Sequence, residues 1–410
     1  MERNPPRLHV AILDEELPYP LTSGKRIRTY HLLSRLAARH RLTYLCHRNP
    51  DLAESSLAEE EFRKLGIRTI VVDRRVPPKS GLGFYARLFA NLFSGLPYSV
   101  ASHHSAELQA AVELLQKDDP PDLWHCEWTP YAEYCRRMNR PWVVMAHNVE
   151  SLIWQRYRET EANPLKRWYI ARQERKFEHF ERWAYSNCTR PIAVSEEDAT
   201  LIRNRFGAKI VDVVDNGVDP DFFAEESVPR QPRTLLFLGS LDWRPNLDAA
   251  AWLLDVLFPL VRRSEPDAKL QFVGRKPAAW LRQRASTDSG VELHADVADV
   301  RPFLRSAGML IVPLRIGGGS RLKILEALAA GVPVVTTTIG VEGLRLRHGQ
   351  HVTIADEPDA IARAVFETIL DHPRALQMAE NGRALVSAEY DWAILAERLE
   401  SVWLKNRQVG

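Results

Sequence analysis

Three consecutive glycines, Gly317, Gly318 and Gly319, separate an apolar segment from a helix-forming one in the stretch IVPLRIGGGSRLKILEALAAGVPVVTTTIGVEGL, residues 311–344. Few backbones accommodate that order. Residues 309–314 form a short apolar run, which suits a strand covered on both faces. The glycines allow positive φ and a close approach of backbone to a ligand. Ser320 is a good N-cap, and Gly331 followed by Pro333 stops a helix. Residues 332–338 are β-branched and read as the next parallel strand. The stretch therefore predicts strand, glycine loop, helix and strand, a repeat unit of the α/β class.

The helix has an unusual polar face. At about 100° per residue, Leu322, Ile324, Leu325, Leu328 and Ala329 cover one broad arc that must be core. Lys323, Glu326 and Ala330 fall on the other side, with Ala327 beside them. A cation and an anion flanked by alanines leave room for a ligand along the helix. The free N–H groups and positive dipole end at the helix start suit phosphate, and Arg321 and Lys323 add charge there. Glu326, further along, can accept hydrogen bonds from a ribose diol. Diphosphate at the start and ribose further on describe a nucleoside diphosphate. The plainer alternative is a solvated Lys–Glu pair on a surface helix after an ordinary glycine loop.

The stretch closely resembles the nucleotide-sugar site of family 4 glycosyltransferases, the retaining group with the GT-B fold. Within it, the chain is similar to the bacterial exopolysaccharide enzymes that carry GGGSRLKxLEAxAxGxPVVxTxxGxEGL. The resemblance implies that Glu326 binds the ribose hydroxyls. It also implies that the amides of Gly317, Gly318, Gly319 and Ser320, with Arg321 and Lys323, hold the pyrophosphate. Many members carry a second glutamate eight positions before the ribose-binding one; here that position is Gly318. The exopolysaccharide branch commonly lacks it too.

Length bounds the organisation. A chain of 410 residues suits two domains of about 200 residues each. A net charge of +2 argues against wholesale nucleic-acid binding. No apolar run is long enough to span a bilayer, and the opening residues MERNPPRLHV lack a signal-peptide core. Cys46, Cys126, Cys135 and Cys188 have no metal-ligand spacing and read as reduced thiols. The expected location is cytoplasmic, with peripheral contact at the inner face of the plasma membrane left open.

Residues 9–14 form a first strand, followed by a loop and a helix with Ile27, Tyr30, Leu33 and Leu36 at helical spacing. Gly24 and Arg28 lie where the family's first turn faces the acceptor; a solvated basic turn is the alternative. Residues 74–100 carry Arg74, Arg75, Lys79 and Arg87, no acid, and an aromatic–aliphatic stripe that includes Tyr85, Phe89 and Phe93. That pattern suits a helix docking on anionic lipid, although packing inside the first domain is the commoner fate.

The strand at 142–146 ends in His147-Asn148-Val149-Glu150. Ligands gather at the carboxyl ends of strands in open α/β sheets. By resemblance, His147 contacts the donor sugar; a hydrogen-bonded structural histidine is the alternative. Residues 164–185 read as a long charged helix with Trp168, Phe177, Phe180 and Trp183 toward the core. Asn216 lies in the sequence Asn216-Gly217-Val218-Asp219, which resembles the turn that closes the first domain beside the donor. Asp219 and Asp221 superficially suggest a metal-binding DxD, which is set aside because the fold needs no metal there. After the strand at 234–238, the family's usual basic positions hold Ser240 and Asn246, and Arg244 is the basic candidate, slightly out of register.

The expected architecture is GT-B: two Rossmann-like parallel-sheet domains facing a central cleft. Residues 1–222 would form the acceptor domain, with 391–410 packing back on it, 223–233 the linker, and 234–390 the nucleotide-sugar domain. The resemblance implies transfer of a hexosyl group, with retention, from a nucleotide-diphosphate sugar to a hydroxyl on a glycan or lipid-linked acceptor. No cofactor or metal is expected. The rivals are a degenerate binding or scaffold protein and a nucleotide-sugar epimerase on the same fold.

Overall fold

The computed structural model describes residues 6–74, 78, 80–224, 228–316 and 321–407. Gly317, Gly318, Gly319 and Ser320, together with Arg75 and Lys79, lie outside the described residues. The chain divides into two compact units: residues 1–215 with 395–410, and residues 216–394.

The first unit alternates strands and helices: β1 His9–Leu13, α1 Gly24–Ala37, β2 Arg41–His47, α2 Leu52–Lys64, β3 Arg68–Val72, α3 Leu82–Leu92, α4 Tyr98–His103, α5 Ala106–Asp118 and β4 Leu123–Cys126. A 3-10 helix, Thr129–Arg137, precedes β5 Trp142–Ala146, α6 Glu150–Thr160, α7 Pro164–Asn187, β6 Arg190–Ala193, α8 Glu196–Phe206 and β7 Asp212–Val213. The strands form one sheet in the order β3-β2-β1-β4-β5-β6-β7, with every pair parallel. Strands β1, β4 and β5 are buried along their whole length, as continuous apolar runs require when helices cover both faces.

The second unit holds α9 Pro220–Ala224, β8 Gln231–Leu238, α10 Arg244–Trp252, a π-helical turn Leu253–Leu257, α11 Phe258–Ser264, β9 Lys269–Gly274, α12 Ala279–Thr287, β10 Val291–Ala295, α13 Arg301–Ser306, β11 Ala307–Val312 and α14 Leu322–Ala329. Then follow β12 Val334–Thr336, β13 Thr353–Ile354, α15 Pro358–Leu370 and α16 His372–Glu389. The last helix, α17 Trp392–Asn406, enters the first unit at Leu395. There Trp403 Nε1 donates to His125 Nδ1 at 3.0 Å, and His40 and Glu400 pair at 2.9 Å. The second sheet runs β10-β9-β8-β11-β12-β13, again all parallel.

Each sheet reverses its strand order once, between β1 and β4 in the first and between β8 and β11 in the second. In open α/β sheets, the loops leaving the carboxyl ends of the strands at such a reversal part and leave a crevice. The residues that follow β1, β4, β8 and β11 are therefore the ones positioned to meet ligands.

Two packing expectations are corrected. Trp168, placed toward the core by periodicity, is 54% exposed, while Phe177 and Phe180 are buried. Ala327, placed beside the polar face of α14, is fully buried. Part of the charge on α7 is also internal: Glu181 accepts from the Glu150 and Ser151 N–H groups at 2.6 and 3.1 Å.

Candidate active site

In the second unit, the crevice is built around α14. Ile324, Leu325 and Leu328 are fully buried, at about 1.5–3 kcal/mol of burial each, and fix which face the helix turns outward. Lys323 and Glu326 lie on the half-buried side. Lys323 Nζ donates to Asn246 Oδ1 at 2.8 Å and lies 4.8 Å from the centre of the Phe237 ring. Asn246 Nδ2 in turn donates to the Ser240 carbonyl at 2.9 Å. Gly239 closes the floor: a Cβ there would lie 2.9 Å from Lys323 Nζ and 2.7 Å from Asn246 Nδ2. Any side chain at Gly239 would displace the amine.

The Glu326 carboxylate makes no hydrogen bond or ion pair among the described residues. Burial, only partly offset by Lys323, raises its pKa to about 7. Burial and the nearby Arg321 charge lower the Lys323 ammonium to about 7. One ionisable pair thus titrates near neutrality on one helix face. Such a pair is placed to take charge and hydrogen bonds from a ligand.

Both flanks of the glycine loop are anchored. Arg315, before it, pairs with Asp248 on α10 at 2.7 Å and lies over the Trp252 ring. Arg321, after it, is buried and donates to the Ile339 carbonyl at 2.9 Å and to Glu342 at 3.1 Å. Arg321 occupies the N-cap position of α14. Thr337 Oγ1, past β12, donates to the Leu314 carbonyl at 2.6 Å.

The other expected residues of this unit are more dispersed. Arg244 begins α10 and is exposed, two residues before Asn246. Asn216 is half-buried at the start of the unit. The carboxylate of Asp219 accepts from Phe222 N at 3.1 Å and so caps α9.

In the first unit, the residues after β1 and β4 form a dense network. Glu127 is buried, and its Oε1 accepts from Thr29 Oγ1 at 2.7 Å and pairs with His147 Nε2 at 3.0 Å. Its Oε2 pairs with His125 Nε2 at 2.7 Å. Because Trp403 donates to His125 Nδ1, the His125 proton lies on Nε2. Burial opposes ionisation of Glu127, but the two histidine hydrogen bonds hold its pKa well below the usual carboxylate value. His147 is lowered from its ordinary value by burial, against the pull of Glu127. With Nε2 committed to Glu127, Nδ1 of His147 is left as the acceptor.

A second set adjoins the first. Asp14 holds Lys25 and accepts from Tyr44 Oη at 2.7 Å, while Lys25 lies over the Trp128 ring at 5.1 Å. Trp128 Nε1 donates to Glu150 at 3.0 Å. Gly24, the first residue of α1, is half-buried beside Lys25. Arg28 is fully buried and donates to the Val214 carbonyl at 2.6 Å. The structure thus makes Arg28 an internal tie of the unit rather than a solvent-facing contact. Glu127, Asp14 and Lys25 have no local motif that marks them. Their positions after β1 and β4, beside the sheet reversal, are the signal that could have found them.

Two family models match the chain: glycosyltransferase family 4 over residues 22–222, and glycosyl transferases group 1 over residues 232–371. The chain belongs to the family 4 glycosyltransferases. Among curated relatives, it is 31% identical over 229 residues to the phosphatidyl-myo-inositol mannosyltransferase of Mycobacterium tuberculosis. That match covers 52% of this chain and 58% of the relative, so the chain spans little more than half of the enzyme it resembles. Among solved structures, sucrose-phosphate synthase from Thermosynechococcus elongatus superimposes with a TM-score of 0.70 at 17% identity, over 97% of this chain and 99% of that one. Anabaena HepE in complex with UDP-glucose superimposes with a TM-score of 0.66 at 15% identity, over 97% and 100%. The fold is that of the GT-B glycosyltransferases, as the glycine-loop stretch led one to expect.

Proposed function

We propose that this protein transfers a hexosyl group, with retention, from a nucleotide-diphosphate sugar to a hydroxyl of a glycan or lipid-linked acceptor in cell-surface glycan synthesis. The observation that carries the reading is the face of α14: an amine held by Asn246, and a carboxylate with no hydrogen bond or ion pair among the described residues. Glu326 accepts the ribose hydroxyls. Lys323, with Arg321 at the helix cap, meets the diphosphate. Gly317, Gly318, Gly319 and Ser320 contribute amides, and Arg244 and Asn216 border the donor. His147 accepts a hydroxyl of the transferred sugar through Nδ1. The complex of HepE with UDP-glucose supports a nucleotide-sugar donor, and the mannosyltransferase named for phosphatidyl-myo-inositol supports a lipid acceptor.

In the reaction, the bond from the sugar anomeric carbon to the diphosphate oxygen breaks as the bond to the acceptor oxygen forms on the same face. The acceptor proton passes to the departing phosphate oxygen. Catalysis then rests on positioning and on stabilising charge as it develops on the diphosphate, and it needs no protein nucleophile.

Peripheral membrane contact belongs to the same reading. Leu82, Tyr85 and Phe89 on α3 and Phe93 at its C-cap are exposed, and Leu165 and Trp168 on α7 add to them. Arg172 of α7 donates to the Leu92 carbonyl at 3.1 Å, which ties the two helices together. Among the described residues, no helix is long and apolar enough to cross a membrane. The deciding assay incubates the protein with sugar nucleotides and candidate acceptors and analyses the products by NMR. A glycoside with the donor's anomeric configuration is expected. An epimerised donor would instead identify an epimerase, and an unchanged donor a binding protein.

A further inference from the structure

A further cavity near the carboxyl edge of the first sheet is lined by residues other than those of the crevice just described. It is a space of about 1080 Å³ between the end of β3 and helices α3 and α4. Arg74, Arg87, Asn91, Tyr98 and Ser105 are among its lining residues. Arg74 Nε and Nη1 are out of solvent and have no hydrogen-bond partner among the described residues, and the same holds for Arg87 Nε. Arg87 is otherwise steadied through Nη2 by the Pro78 carbonyl. Buried donors of a guanidinium are costly when unpaired and are nearly always satisfied in native proteins. Two arginines presenting such donors to one cavity mark a place for an anion with several acceptor oxygens.

Acidic neighbours do not fill that role: Glu15, on which the Arg74 charge acts, is taken by His103 at 3.1 Å. Asp73 lines the same cavity but is taken by Arg48 at 2.6 Å, and Glu107 lies in the exposed first turn of α5. The Arg74 charge also acts on His47 at the end of β2, where after burial it is the next cause that holds the imidazole at about 4. The cavity therefore lies on the same edge of the sheet as Glu127 and His147.

Helix α3 joins this cavity to an apolar surface. At about 100° per residue, Arg87 and Asn91 fall on one face of it, and Leu82, Tyr85, Phe89 and Phe93 on another. Phe93 is 79% exposed and Phe89 64%. One helix thus borders a cationic cavity and presents an uncovered aromatic stripe. A molecule with a phosphate and an apolar chain would satisfy both.

We infer that this cavity binds the phosphate group of an amphiphilic, lipid-like acceptor, whose apolar chain follows the exposed stripe of α3. The inference rests on the transferase reading for the word acceptor, while the binding itself is independent of it. The phosphate receives Arg74 Nε and Nη1 and Arg87 Nε, and Ser105 and Tyr98 border it.

The test is calorimetric binding of decyl phosphate, inorganic phosphate and decyl glucoside to the full chain. Decyl phosphate is expected to bind more tightly than either of the others. The double variant Arg74→Gln/Arg87→Gln is expected to weaken it by about ten-fold or more, in line with the loss of charge-assisted hydrogen bonds. Arg74→Lys should restore part of that loss. The double variant Phe89→Ser/Phe93→Ser should weaken decyl phosphate and leave inorganic phosphate unchanged. Binding of decyl phosphate no tighter than of decyl glucoside or of inorganic phosphate would overturn the inference, as would full binding by the arginine variant. Nucleotide-sugar binding by the same samples checks that the variants are folded and separates the two readings. If a nucleotide sugar binds and decyl phosphate does not, only this inference fails. If decyl phosphate binds and no nucleotide sugar does, the transferase reading fails and the cavity keeps its phosphate.

Discussion

The two crevices differ in how complete they are. In the first unit Glu127 is surrounded by donors, from Thr29, His125 and His147, and Asp14 by Lys25 and Tyr44. In the second, Lys323 has one side-chain hydrogen bond and Glu326 has none among the described residues. A satisfied buried network is rigid and holds its members in one geometry. A half-satisfied pair leaves its desolvation cost uncompensated until a ligand supplies the missing partners. The first crevice is thus preorganised around a fixed charge, and the second is organised to receive one.

The largest effect expected from that contrast is on stability in the first unit. Glu127→Ala removes the acceptor that three side chains share, and should cost that unit about 3–5 kcal/mol. Denaturation followed by the fluorescence of the buried Trp124 and Trp403 would show it. A loss below about 1 kcal/mol would mean that the network is ornamental.

Next comes turnover in the second unit. Lys323→Ala should slow transfer by about 10²–10³-fold, the range for removing one charge-stabilising donor, with a much smaller effect on donor affinity. Single-turnover kinetics separate the two. Equal losses in affinity and rate would make Lys323 a binding residue only.

A smaller effect follows from the pKa values. Glu326 is raised from 4.5 to about 7, so its contribution to stability is present below pH 4.5 and lost as pH rises through 7. Lys323 is lowered from 10.5 to about 7, so its contribution is present above pH 10.5 and lost as pH falls through 7. Around pH 7–8 the unliganded pair therefore destabilises the unit. Glu326→Gln should raise the thermal midpoint of the unliganded protein at pH 8 by roughly 2–4 °C, equivalent to about 1 kcal/mol. The same substitution should abolish the further rise that a bound donor gives. A lowered midpoint would show that Glu326 already has a stabilising role without ligand.

The same contrast governs what the sequence reveals. The second crevice is nearly contiguous: Arg321, Lys323 and Glu326 share one turn-and-a-half of helix, and their spacing alone shows a polar face. Its alternating strands and helices follow from apolar runs and from the stop signals at Gly331 and Pro333. The first crevice is assembled from residues 14, 25, 29, 125, 127, 147 and 403, which only the sheet order brings together. No periodicity in a single segment encodes that. Arg28 and Trp168 show the converse. The resemblance put Arg28 on the acceptor side and helical spacing put Trp168 in the core; long-range packing buries Arg28 against the Val214 carbonyl and leaves Trp168 54% exposed. Asn246, set aside because it is not basic, proves to hold Lys323, a contact between residues 77 apart.

The most direct measurement is saturation-transfer NMR of UDP-, GDP- and ADP-sugars against the wild type and Glu326→Ala. One donor is expected to bind, with the strongest transfer to its ribose protons, and the variant to lose that signal. No binding by any nucleotide sugar at millimolar concentration, or undiminished ribose contact in the variant, would contradict it.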